Sequence, residues 1–339
     1  MKKRMLALLL AMLMVCSFTA CGKNSNDDTD NTNNDDALKE ITLVLDWTPN
    51  TNHTGIYVAL EKGYFEEAGL DVEVVQPPED GAEVLVASGR AQFGISFQDS
   101  MASAIAGDNA LPITAVASII QHNTSGIISR KGEGMDVPKG MEGHTYATWN
   151  GPIELGTIKQ VVEKDGGDFD KIELIPSTVT DEVSALKTKS VDSIWIFYAW
   201  AGVKTELEGL EIDYFAFADI DPVFDYYTPV LISGNTFLEE EPETAKAFLA
   251  ALSKGYEDAI ANPEEAAEIL CKAAPELDSE LVLASQKYLA EQYQADASQW
   301  GYIDAERWNN FYTWVNENEL TEDEVPLDTA FTNDYLPEK

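Results

Sequence analysis

Residues 41–75, ITLVLDWTPNTNHTGIYVALEKGYFEEAGLDVEVV, constrain the fold more than any other stretch. ITLVL is a short apolar run with β-branched residues, the pattern of a parallel strand buried on both faces. DWTPNTNHT is a loop, because Pro49 and the Asp and Asn residues around it favour turns over regular pairing. GIYVALEKGYF places apolar residues at helical spacing and stops near Gly63, and Gly69 turns the chain into DVEVV, a second strand. The loop therefore leaves the carboxyl end of the first strand and opens a helix. In open α/β sheets that end is where ligands bind. The loop carries an indole (Trp47), amides (Asn50, Asn52) and an imidazole (His53), a set suited to a small, flat, polar molecule.

The alternation continues. EVLVASGRAQFGISF reads as helix, turn and strand, and Gln98 and Asp99 open the helix DSMASAIAG. LPITAVASII is a strand ending at Gln121, His122 and Asn123, with a crossover to a second lobe expected near 125–130. HTYATWNG is a strand ending at Trp149, and Pro152 sits in the first turn of the helix that follows. KIELIPS, VSALKTKS, VDSIWIFYAW and YFAFADI extend the pattern, and TPVLISG returns to the first lobe near 227–232. From Pro242 the chain is mostly helical and amphipathic through Val315. Two blocks of alternating strands and helices predict an α/β fold of two lobes with a ligand cleft between them and a helical C-terminal region. Lobe 1 is expected from 39–126 and 230–339, and lobe 2 from 127–229. Hinge closure of such lobes can enclose a ligand.

The chain has 339 residues, enough for two cores. Its mean hydropathy of -0.20 describes a globular protein, but the first 20 residues differ. Lys2, Lys3 and Arg4 precede an apolar run from Met5 to Val15, the layout of a signal peptide. Phe18-Thr19-Ala20-Cys21 resembles a bacterial lipoprotein cleavage box, so Cys21 is expected to carry lipid. Residues 21–38 then form a disordered tether, rich in Asn and Asp. No later stretch is long and apolar enough to span a bilayer. Cys16 leaves with the signal, and Cys271 remains as a helical thiol; no disulfide, Cys-x-x-Cys or zinc spacing is present, and no metal is expected. The net charge is -38, and removing the three basic signal residues leaves 19 basic against 60 acidic side chains, about -41. Such a surface repels nucleic acid and argues against multiply charged anions as ligands.

Each candidate site residue has a structural alternative. Trp47 either stacks on a heteroaromatic ring, worth about 0.5–1.5 kcal/mol beyond burial, or caps the sheet. Asn50 offers paired donor and acceptor groups to an aminopyrimidine edge, or serves the turn. His53 donates to a ring nitrogen or caps the next helix. Glu154, at a helix start, is favoured by the helix dipole; as a ligand group it accepts from an exocyclic amine and pairs with a protonated ring nitrogen. Gln98, Gln121 and Asn123 stand at strand exits, whereas Asp99 reads as a helix cap. Trp149 is a second stacking face. In WIFYAW some aromatic residues are core, because a strand buries alternate positions; Trp195 and Tyr198 are assigned to the pocket. Tyr226 or Tyr227 closes over the ligand, with Tyr227 taken as the contact. Trp300, Trp308 and Trp314 belong to the core.

These segments resemble the "no message in thiamine" family, which contains bacterial binding proteins for thiamine pyrimidine precursors and fungal pyrimidine synthases. The resemblance rests on DWTPNTNHTGIYVALEKGYFEEAGLDV and continues through GRAQFGISFQDSM, TAVASIIQHNTSGI, TWNGPIE, VDSIWIFYAW and YYTPVLIS, roughly residues 41 to 300. It implies a periplasmic-binding-protein fold of the second type serving an ABC importer. The fungal branch makes its pyrimidine from an active-site histidine and pyridoxal phosphate, using iron, and His53 falls at that histidine. No lysine lies between Asp46 and Leu60 to form a Schiff base, and DPVFDYYTPVLI lacks the cysteines of the iron segment. An acidic residue that relatives carry near Tyr198 is also missing. The resemblance therefore implies a binding protein, not an enzyme, with no cofactor. Expected is an extracytoplasmic monomer, lipid-anchored to the bacterial membrane through Cys21, that hands a hydroxymethyl- or formylaminomethyl-aminopyrimidine to a permease. The alternatives are another flat heterocycle such as riboflavin, or a sulfonate or nitrate-type anion. Anions favour Arg, Lys or a helix N-terminus, and only Arg90 and Arg130 lie near the expected cleft segments.

Overall fold

In the computed structural model, which describes residues 37–177 and 179–338, residues 41–75 form the β-α-β unit that their pattern requires. The expected signal peptide, Cys21 and the tether up to residue 36 lie outside the described residues. Strand β1 (Lys39–Val44) runs parallel to β2 (Leu70–Val75), pairing Ile41 with Val72 and Leu43 with Val74. With β3 (Phe93–Ser96), β4 (Ile113–Ser118) and the later β10 (Val230–Gly234) they form one sheet in the order β2-β1-β3-β10-β4. The second sheet contains β5 (Ser125–Arg130), β6 (Thr145–Thr148), β7 (Glu173–Pro176), β8 (Ser193–Phe197) and β9 (Ile212–Ala216), in the order β7-β6-β8-β5-β9.

The two sheets follow one plan. In each, the third strand and the last strand of the run are separated by an inserted antiparallel strand that arrives from the other sheet. β10 lies between β3 and β4, and β5 between β8 and β9. Both inserted strands are almost wholly buried, β10 (VLISG) along its whole length and β5 (SGIISR) up to Arg130. The chain passes to the second sheet between Ser118 and Ser125 and returns between Ala216 and Val230. The first passage comes a few residues earlier than expected, because residues 125–130 already pair as β5.

Small residues set the position of the helix that follows the β1 exit loop. Helix Thr54–Glu61 lies against helix Pro242–Ala261. A Cβ on Gly255 would stand 2.1 Å from the carbonyl oxygen of Gly55, and a Cβ on Gly55 would stand 2.4 Å from the Tyr256 ring. Trp300 stacks on Tyr256 with centroids 4.2 Å apart, and Trp314 meets Phe224 edge-on at 4.9 Å. Trp300, Trp308 and Trp314 are all buried. Asp99 lies inside the first turn of helix Gln98–Ala104 rather than capping it, and burial pushes its carboxyl up to about 6.

The two passages between the sheets are fastened by a charged clasp. In the first, His122 places Nδ1 2.7 Å from Asp225, which lies in the second passage, and Nε2 2.9 Å from Asp296. The hydrogen bond to Asp225 raises the imidazole above its ordinary value, against an opposing contribution from burial. A cation stabilised by folding contributes fully below its unfolded value near 6.5, and that contribution is lost as pH rises through the folded value. The melting temperature of His122→Gln is therefore expected to fall furthest below that of the parent at pH 6, with the gap narrowing by pH 9.

A cavity between the strand ends

The β1 exit loop is built around a carboxylate and an imidazole. Leu45 still pairs with Val75, and Asp46 then leaves the sheet. The Asn50 side chain accepts from the backbone N–H of Asn52 at 2.9 Å and caps the short turn Thr51–His53. The backbone N–H of Asn50 donates to Nδ1 of His53 at 3.3 Å. This leaves Nε2 of His53 as the donor to Asp46 Oδ1, at 2.6 Å. Asp46 Oδ2 has no hydrogen-bond partner among the described residues.

Asp46 lines a cavity of about 400 Å³ between the two sheets, together with Trp47, Asn50 and Asn52 of the same loop. Phe97, Ile120, Thr228 and Pro229 extend this wall from the other strand ends of the first sheet. The facing wall consists of Thr124, Thr180, Glu182, the β8 residues Trp195, Ile196 and Phe197, and then Ala199, Trp200, Ala201 and Lys204. Phe97 and Phe197 face each other with centroids 6.4 Å apart and planes 16° apart. Trp195 is braced by Phe217 at 4.2 Å and Trp149 at 5.3 Å. Asp46 Oδ2 is thus an acceptor with capacity left over at this wall. The Thr228 hydroxyl also has no partner among the described residues, but it is wholly buried and closed off from the cavity space. Lys204, the single cationic lining residue described, stands 3.1 Å from Asp181 and 3.8 Å from Glu208.

Of the residues selected from sequence, Trp47, Asn50 and Trp195 come together in this cavity. Trp47 is at its edge, 60% exposed. His53 is fully buried behind Asp46 and reaches the cavity only through that carboxylate. Trp149 is 54% exposed and stands outside the lining, against Trp195.

The other selected residues are engaged within the protein. Glu154 accepts from Tyr146 at 2.7 Å, Thr148 at 3.0 Å and the backbone N–H groups of Trp149 and Gly151 at 3.3 and 3.0 Å. These four donors saturate a carboxylate, which here closes a helix N-terminus instead of facing a ligand. Gln98 donates to the carbonyl of Trp308 and accepts from the N–H of Tyr227. Gln121 donates to Ser118 Oγ and the Tyr302 carbonyl. Asn123 donates to the Phe224 carbonyl and accepts from the N–H of Ser125, facing a different hollow beside His122 and Arg307. Tyr227 is buried, and its hydroxyl accepts from the N–H of Asp304. Tyr198 donates to Glu206 and packs on Tyr214 and Tyr288. Arg130 is held by Glu133 and Asp192, and Arg90 by Ser88.

Sequence reasoning missed Asp46, Phe97, Phe197 and Thr228. Asp46 is the first polar residue after a buried parallel strand, at the point where such sheets bind ligands. The alternation of β8 that selects Trp195 also selects Phe197, two residues on, rather than Tyr198.

The family model described as NMT1/THI5 like matches residues 50–266. A formylaminopyrimidine-binding protein from Halalkalibacterium halodurans is 31% identical over 97% of this chain and 98% of its own length. This chain belongs to the NMT1/THI5-like family. The family also spans catalysts: the 4-amino-5-hydroxymethyl-2-methylpyrimidine phosphate synthase THI11 of Saccharomyces cerevisiae is 25% identical over 71% of this chain and 73% of that protein. The periplasmic aliphatic sulphonate binding protein SsuA of Escherichia coli superposes with a TM-score of 0.69 at 15% identity, covering 89% of this chain and 94% of SsuA. At that identity the likeness speaks for the two-lobe solute-binding fold alone.

Proposed function

We propose that this NMT1/THI5-like protein is an extracytoplasmic solute-binding lipoprotein that captures an uncharged or weakly basic aminopyrimidine, a thiamine precursor, for an ABC importer. The observation that carries the reading is the Asp46 carboxylate, held by His53 and with one oxygen unengaged, in an aromatic-lined cavity. An ionised carboxylate only accepts hydrogen bonds, so it suits the exocyclic amine of an aminopyrimidine. Trp195, Phe97 and Phe197 supply faces for the ring. The volume of about 400 Å³ is near the lower end for small-molecule sites and suits one ring with a short arm. The 31% identity to a formylaminopyrimidine-binding protein supports the same ligand class.

In this reading the lobes expected at 39–126 with 230–339 and at 127–229 meet a little earlier, with all of β5 from Ser125 in lobe 2, and the monomer is tethered through lipid on Cys21. The cavity walls do not favour an anion: Asp46 and Glu182 are acidic, and Lys204 is already paired. The same charges disfavour the phosphate of pyridoxal phosphate. Lys204 belongs to an ion-paired helix surface, and no cluster of three or more His, Cys, Asp or Glu side chains suited to a metal occurs among the described residues. The donor set thus does not fit the cofactors of the synthase branch, and the chain is read as a binder, not a catalyst.

Calorimetric titration with 4-amino-5-hydroxymethyl-2-methylpyrimidine and with its formylaminomethyl counterpart tests this. Saturable one-to-one binding is expected; heat with taurine or nitrate but not with either pyrimidine would overturn it. Thr228→Val is expected to leave the melting temperature unchanged or raise it, because the buried hydroxyl it removes has no partner among the described residues; a thermal scan of the variant checks this.

A further inference from the structure

The two cavity walls are joined out of reach of the ligand, on helix Ser279–Ala290. Ser285 of this helix is fully buried, and its hydroxyl donates to the carbonyl of Ala199. Ala199 belongs to the π-helical turn Tyr198–Gly202 that follows β8, and it lines the cavity. A serine hydroxyl has one proton, so in the 2.6 Å contact between Ser285 Oγ and Thr51 Oγ1 the donor is Thr51. Thr51 directly follows Asn50, a lining residue of the opposite wall. The result is a directed relay, from the Thr51 hydroxyl through the Ser285 hydroxyl to the Ala199 carbonyl, between the ligand-facing loops of the two sheets.

An apolar seat accompanies the relay. Trp200, next in the turn, packs against the buried cluster of Ala267, Leu270 and Val282, which lies on helices outside the second sheet and is also covered by Tyr57 and Cys271. Thr51, Ser285 and Ala199 are each at most 3% exposed. A hydroxyl or carbonyl that loses its partner in such a place is left unsatisfied unless the walls separate and admit water. Breaking the relay therefore favours the separated arrangement over the closed one.

We propose that Ser285 is a positioning residue that latches the Tyr198–Gly202 turn against the Ser279–Ala290 helix and so sets how long a captured molecule stays in the cavity. This rests on the reading that the cavity holds an aminopyrimidine. The latch acts on the closed state, so its loss appears in release and hardly in capture.

Stopped-flow kinetics with 4-amino-5-hydroxymethyl-2-methylpyrimidine compares the parent protein with Ser285→Ala and Thr51→Val. Ser285→Ala is expected to speed release roughly tenfold and Thr51→Val several-fold, with association changed less than about twofold. A residue with a purely structural role would lower the melting temperature and leave release unchanged. Should Ser285→Ala not fold, Thr51→Val alone carries the kinetic test. Hydrogen exchange of the amides in residues 198–204 of the ligand-free protein supplies a readout that needs no ligand, and faster exchange in either folded variant is expected. A parent protein that ignores the pyrimidine overturns the ligand reading but leaves the exchange test of the latch standing. Release and exchange both unchanged in a folded variant overturn the latch.

Discussion

Asp46→Asn is expected to weaken aminopyrimidine binding by roughly 10- to 100-fold while the protein stays folded. The carboxylate has two separable tasks. Oδ1 accepts from His53 Nε2 at 2.6 Å, and Oδ2 is unengaged at the cavity wall. An asparagine can still accept from His53 through its one carbonyl oxygen. The group then turned toward the cavity is an NH2, a donor facing the donor amine of the ligand. A charge-assisted acceptor is replaced by a mismatch, and hydrogen bonds to charged groups contribute about 1.5–3 kcal/mol. Calorimetry on the variant reads the affinity, and a melting curve shows whether the loop survives. Binding within twofold of the parent protein would mean that Asp46 is only the support of a buried histidine.

Gly255→Ala is expected to lower stability by about 2 kcal/mol or more, and the melting temperature by about 3 °C or more. Helix propensity alone argues the other way, since alanine in a helix interior is favoured over glycine by about 1 kcal/mol. Packing decides the sign. The added methyl would stand 2.1 Å from the Gly55 carbonyl oxygen and 2.9 Å from the Ala59 Cβ, and the first of these is backbone that no rotamer change can move. The helices Thr54–Glu61 and Pro242–Ala261 must separate, and the first of them anchors the loop that carries Asp46 and His53. The variant should therefore also bind more weakly. An unchanged or raised melting temperature in a thermal scan would contradict this account of the helix crossing.

The β1 exit loop was legible because everything that shapes it is local: a buried apolar strand, a proline, a self-capping asparagine and a glycine-bounded helix. The two-lobe α/β plan was legible for the same reason, repeated along the chain. Glu154, Gln98, Gln121, Asn123 and Tyr227 were harder. A polar side chain at a strand exit has the same appearance in sequence whether it meets a ligand or satisfies the backbone where the chain changes sheet. The deciding partners are often remote, as with Gln98 and the Trp308 carbonyl or Gln121 and the Tyr302 carbonyl. Glu154 is the opposite case, engaged almost wholly by residues within eight positions of it. There the helix-start reading already available from Gly151-Pro152 is the arrangement observed. Asp46 carries no distinguishing mark in the sequence, because an aspartate at a strand exit is an ordinary turn residue. A carboxylate and an imidazole seven residues apart gave no local sign that they meet.

The most direct measurement is a crystal structure of the protein grown with 4-amino-5-hydroxymethyl-2-methylpyrimidine. The account predicts a pyrimidine ring between the two sheets, against Trp195 or the Phe97–Phe197 pair, with its exocyclic amine on Asp46 Oδ2. A ring bound outside this cavity, or one inside it whose amine turns away from Asp46, would contradict the account.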